Sequence, residues 1–133
     1  MAAAGTIVQS SYLLGHVRRL RFACTASVDD GSFPDTIVAE KIEGRLLKLV
    51  TTPGATNPTA AYDVTLVDQS GHDVLEGVGA DRSATVVQHV PIVYTGTSLH
   101  PAVDEADTLT LQIANNAVHG AGVTIDLYFA LGA

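Results

Sequence analysis

Apolar residues in this chain recur at every second position in one segment after another, and no stretch of ten or more residues carries the i, i+3, i+4 spacing of an amphipathic helix. Leu20, Phe22, Cys24, Ala26 and Val28 stand opposite Arg19, Arg21, Thr25 and Ser27. Leu109, Leu111 and Ile113 alternate with Thr108, Thr110 and Gln112, and Val123, Ile125, Leu127 and Phe129 alternate with Thr124, Asp126 and Tyr128. A strand turns successive side chains to opposite faces, so each segment offers one face to a core and the other to water. Thr and Val also abound where helices favour Ala, Glu, Lys and Leu. The expected fold is all-β: a single-domain antiparallel β-sandwich of seven to eight strands, or a small barrel, with Greek-key or jelly-roll connections.

Turn chemistry divides the rest of the chain. Thr6 to Leu14 reads as a first strand or an arm ending at Gly15, so residues 1–15 are separated from a sandwich domain over 16–133. Thr36 to Thr52 is a β-leaning run whose alternation falters around Gly44 to Leu47, where a bulge or a break puts Leu46 and Leu47 on different faces. Tyr62 to Gly79 reads as a hairpin: Tyr62, Val64 and Leu66 inside, Asp63 and Thr65 outside, a turn at Asp68 to Gly71, and a second strand resuming at Val74 and Leu75. Pro91, which has no N–H for a ladder, places Ser83 to Tyr94 at a sheet edge or a strand end. Asn115 to Gly122 is expected to close a long hairpin loop pairing the last two strands.

At 133 residues the chain is long enough for a core without staples. Its one cysteine, Cys24, has no partner for an intrachain disulfide, which suits folding in a reducing cytoplasm. No apolar run approaches the roughly 20 residues of a membrane span, and Met1 to Ser10 does not read as a secretion signal. Charged residues make up only 16%, against about 25% in typical soluble domains. The surface is therefore largely neutral, and neutral surface is cheaper to desolvate on self-association. Six basic and five acidic residues lie up to Lys48, against one basic and nine acidic beyond it. A chain of net charge −7 is repelled by nucleic acid, which is not expected as a partner.

Reactive constellations are missing from the linear sequence. His16, His72, His89, His100 and His119 form no close ligand pair, so no metal or other cofactor is expected. Cys24 falls on the apolar side of its strand, where a cysteine behaves as a small hydrophobe. Neither a Gly-x-Ser-x-Gly elbow nor a phosphate loop is present. The acidic pairs Asp29–Asp30 and Asp104–Glu105 read as solvated loop residues. Arg18, Arg19 and Arg21 are the one local cluster with recognition value, since guanidinium groups bind carboxylates in bidentate fashion. They are the candidate partner contacts, set against a plain structural role as charges on the exposed face of a strand.

The run Gly44-Arg-Leu-Leu-Lys-Leu-Val-Thr-Thr-Pro-Gly, the strand Tyr62-Asp-Val-Thr-Leu, and the closing Leu109-Thr-Leu-Gln-Ile-Ala-Asn-Asn and Val123-Thr-Ile-Asp-Leu-Tyr-Phe resemble small structural proteins of tailed bacteriophages. The resemblance implies a virion component made in the bacterial cytoplasm and carried on the capsid surface. It implies a non-enzymatic cement or decoration protein, a dimer or trimer that binds the major capsid protein and bridges its subunits, with no membrane partner. A tail, neck or baseplate protein is the alternative of the same class. A carbohydrate-binding sandwich is the alternative of another, weakened by the absence of tryptophan and the presence of only four tyrosines.

Overall fold

A computed structural model describes residues 5–94, 96–97, 99–103 and 107–131. In chain order the strands are β1 (Thr6–Leu14), β2 (Val17–Thr25), β3 (Thr36–Ile37), β4 (Gly44–Pro53), β5 (Asp63–Val67), β6 (Gln88–Pro91), β7 (Ala102–Val103), β8 (Thr110–Ala114) and β9 (Gly122–Leu131). They form two antiparallel sheets. The large one runs β1-β2-β9-β4-β6, with β7 also paired to β4, and the small one runs β3-β8-β5. From β2 to β6 the chain changes sheet at every step, and it does so again from β7 to β8 and from β8 to β9. This is a jelly-roll winding with a three-stranded second sheet. The nine strands exceed the seven to eight expected from sequence, because β3 and β7 are only two residues long.

Alternation decides what is buried. The β9 residues Val123, Ile125, Leu127 and Phe129 and the β2 residues Leu20, Phe22 and Cys24 face Val64 and Leu66 of β5 and Leu111 and Ile113 of β8 within one core. Tyr62, Val64 and Leu66 are inside and the Ser70–Gly71 turn is exposed, as the alternation requires. Val28 departs from its period and is 60% exposed. The cause is local: β2 ends at Thr25, and the chain turns through Ser27 to Ser32 with Gly31 N–H donating to Ser27 O.

Two sequence expectations are corrected, and the bulge expected around Gly44 to Leu47 is found. The last two strands do not pair with each other, because β8 lies between β3 and β5 while β9 lies between β2 and β4. Their connection crosses the roughly 10 Å between packed sheets, so their apolar faces meet across the core. Asn116 anchors this crossing, accepting from Thr59 N–H and donating to Gly31 O and Val118 O. The second arm of the Tyr62–Gly79 hairpin is not a strand. Asp73 instead accepts hydrogen bonds from the N–H groups of Leu66, Leu75 and Gly77, winding the segment into turns that bury Val74 and Leu75. The Thr36–Thr52 run is divided between β3 and β4, and within β4 the pairing with β9 shifts register between Leu46 and Lys48. That bulge leaves Leu46 and Leu49 both fully buried and Leu47 half-buried.

At two glycines the backbones meet. A Cβ on Gly79 would lie 2.0 Å from Val64 O, and one on Gly44 2.1 Å from Ala130 O. Both obstacles are main-chain atoms of strands, so relief requires β4 to part from β9 in one case and the turn holding Gly79 to part from β5 in the other. Gly79→Ala and Gly44→Ala are each expected to lower stability by about 3 kcal/mol, read as a shifted urea midpoint. An unchanged midpoint in either variant would show that the backbone yields. Burial pushes the Cys24 thiol up to about 12, so in the native protein it should resist a thiol-specific disulfide reagent at pH 8 and react at the unfolding rate. Fast stoichiometric labelling of folded protein would contradict this packing.

Candidate interaction surface on the large sheet

The small sheet covers one face of the large sheet, and the other face is open except at Val50 and Asp126, which are buried. Strand register assembles that outer face in rows. Tyr12 lies opposite Arg19, Arg19 opposite Tyr128, Tyr128 opposite Lys48 and Lys48 opposite Pro91, one row crossing β1, β2, β9, β4 and β6. The row alternates ring and cation. Arg19 Cζ is 5.5 Å from the centroid of the Tyr12 ring, and Lys48 Nζ is 4.7 Å from that of Tyr128, within the reach of cation–π attraction. Each cation thus rests on an aromatic face while its charge stays on the surface.

The neighbouring row is Ser10, Arg21, Asp126, Val50 and His89. Arg21 Nε donates to Asp126 Oδ1 at 2.8 Å and Nη2 to Oδ2 at 3.1 Å, a bidentate pair between adjacent strands. The Asp126 side chain is 5% exposed and that of Arg21 44% exposed. Hydrogen bonding and then Coulomb attraction to Asp126 raise the Arg21 pKa above its ordinary value. A third row, Leu14, Val17, Ala130 and Arg45, is mostly apolar.

The arginines expected as partner contacts therefore separate. Arg19 and Arg21 share the outer face, while Arg18, one residue out of phase, reaches Glu40 at 3.1 Å and also donates to Ser11 Oγ. Sequence reading missed Tyr12, Lys48 and Tyr128, because their row is assembled from four strands distant in the chain. One part of it was detectable. Tyr12 and Arg19 are equidistant from the two-residue turn Gly15-His16, and the positive φ of 59° at Gly15 suits the first position of a II′ turn.

Other candidates have local structural roles. His72 pairs with Glu76 at 2.6 Å, and His100 Nδ1 lies 2.7 Å from Ile92 O. Asp30 accepts from Ser32 N–H and Ser32 Oγ, and these bonds hold its carboxyl below the usual range. Asp68 is lowered in the same way, first by the Ser70 hydroxyl. Asp104 and Glu105 lie outside the described residues. Among the described residues no three of His, Cys, Asp and Glu come together as a metal site, and no helix is long and apolar enough to cross a membrane. A cleft of about 110 Å³ beneath β1, lined by Gln9, Leu20, Phe22, Ala39 and Glu40, falls short of the ~300 Å³ or more of ligand pockets. In the core, the Tyr62 phenol interacts with the Thr51 hydroxyl, but neither completes a hydrogen bond of ordinary geometry.

Arg21→Ala leaves the Asp126 carboxylate buried and unpaired. Because Arg21 is half exposed, the expected loss is about 1–2 kcal/mol rather than that of a fully buried pair, and Arg18→Ala should cost less than about 1 kcal/mol. Urea unfolding of the two variants compares them, and equal losses would deny Asp126 its special burden. No protein-family model, curated protein or solved structure matches this chain.

Proposed function

We propose that this chain is a non-enzymatic structural protein of a tailed-phage particle, a capsid cement that binds the major capsid protein through the outer face of its large sheet. The charge distribution carries this reading. Four of the seven Lys and Arg residues, Arg19, Arg21, Arg45 and Lys48, stand on that face of a chain whose net charge is −7. The only carboxylate on its strand positions is Asp126, already engaged by Arg21. A cationic and aromatic surface on an otherwise acidic protein fits an acidic protein surface, and it suits contact more than conversion of a small molecule.

Such a protein works by number. Copies assembled as dimers or trimers engage several capsid subunits at once, so modest individual contacts add up to firm attachment. Only 16% of the residues are charged, which keeps the desolvation cost of those contacts low. In this reading the protein is made in the bacterial cytoplasm and ends on the outside of the shell.

The test is quantification of the chain in purified particles, followed by rebinding of purified protein to undecorated shells. A cement is expected at on the order of hundreds of copies, whereas about a dozen indicates a ring in the tail or neck. Arg19→Glu combined with Lys48→Glu should weaken shell binding at least about tenfold by placing like charge against the partner, with unfolding unchanged beyond about 1 kcal/mol. Absence from particles, or full binding by the charge-reversed variant, would overturn the proposal.

A further inference from the structure

A sheet edge presents unpaired N–H and C=O groups that another strand can join, and folded proteins shorten, cover or charge such edges. Three of the four edges here are treated in that way. β6 is four residues long and ends in Pro91, and β3 is two residues long. β5 is flanked by turns: Val64 N–H donates to Gly79 O, Val74 N–H to Leu66 O and Arg82 N–H to Tyr62 O.

β1 is the exception. It runs for nine residues, Thr6–Leu14, without a charge or a proline. Among the described residues its backbone makes no hydrogen bond beyond its pairing with β2. Most of its side chains are also uncovered, with Val8 65%, Tyr12 55%, Leu13 52% and Leu14 50% exposed, while on the inner side Ile7 packs on the core and Gln9 donates to Ile37 O and accepts from Ala39 N–H. Tyr12 and Leu14 lie on the outer face and Leu13 on the other, so the hairpin tip is apolar on both sides.

We propose that two copies of this chain join through β1, antiparallel and about a two-fold axis, so that their large sheets become one. Three observations favour a second copy as the occupant. First, an antiparallel edge is its own complement under two-fold rotation, since each open N–H of one copy meets a C=O of the other. Second, charge permits it. Two bodies of net charge −7 repel, and the uncharged strand is where they approach at least cost, beside arginines engaged by Glu40, Tyr12 and Asp126. Third, the length is sufficient. A nine-residue strand is about 30 Å long, and pairing along all of it supplies a ladder as long as the one β1 already makes with β2.

The seam would place two Tyr12–Arg19–Tyr128–Lys48 rows in one continuous outer face. It specifies the self-association included in the functional reading above, yet it can be tested without particles. A monomer that still decorates shells would sink the seam and leave the cement reading standing, and a dimer absent from particles would do the reverse.

The experiment has two arms. Light scattering at micromolar concentrations should give twice the chain mass for the native protein, and Val8→Lys with Ser10→Lys should raise the dimer dissociation constant at least about tenfold. In the second arm, single cysteines are introduced as Val8→Cys, Ser10→Cys and Tyr12→Cys, with Cys24 buried and silent. Mild oxidation should crosslink most the one closest to the two-fold axis, and His89→Cys on the β6 edge should stay uncrosslinked. A monomeric native protein, a dimer indifferent to the lysines, or a dimer that none of the three β1 cysteines captures would each overturn the proposal.

Discussion

The structure depends on the double pairing of β9. Its register with β2 runs from Gly122 to Ala130 and its register with β4 from Val123 to Leu131, so a single strand holds both flanks of the large sheet. Its alternate residues Val123, Ile125, Leu127 and Phe129 supply the floor of the core. A strand paired on both sides has no freedom to slip, because a one-residue shift would turn all four of those side chains outward. The bulge in β4 between Leu46 and Lys48 is the accommodation to this constraint: β4 absorbs an extra residue so that Leu46 and Leu49 both face inward beside an undistorted β9.

The same strand organises the outer face. Asp126 and Tyr128 project from β9 on the side away from the core, Tyr128 between Arg19 and Lys48 and Asp126 between Arg21 and Val50. One carboxylate neutralises Arg21, while the ring of Tyr128 supports Lys48 without cancelling its charge. The result is a surface that stays cationic on an acidic protein and is pre-ordered by the sheet, which reduces the side-chain entropy lost when a partner settles on it.

Much of the architecture was legible because period-2 alternation is a local property. The inward residues of β2, β5, β8 and β9 could be named one by one, and Pro91 could be assigned to a strand end. Two kinds of error have physical causes. Val74 and Leu75 carry the composition of a strand but are buried in turns, because the Asp73 carboxylate competes for backbone N–H groups that a ladder would have used. β8 and β9 look like hairpin partners because they are adjacent in sequence. Alternation says which face of a strand is apolar, and two such faces can meet across a core as readily as lie side by side.

The candidate surface was less legible for the same reason. Arg18, Arg19 and Arg21 are conspicuous as a run, yet the strand's own period sends Arg18 to Glu40 and away from the other two. By itself the sequence determined an all-β chain, its inward residues, its scarcity of charge and its low stock of reactive groups, because these follow from neighbours along the backbone. Only the tertiary structure decided that Tyr12, Arg19, Tyr128 and Lys48 form one row, and that β1 alone is left as a long bare edge. Both depend on which strands lie side by side, and beyond the β1–β2 hairpin that order is set by pairing between residues such as Arg19 and Tyr128 or Lys48 and Tyr128, far apart in the chain.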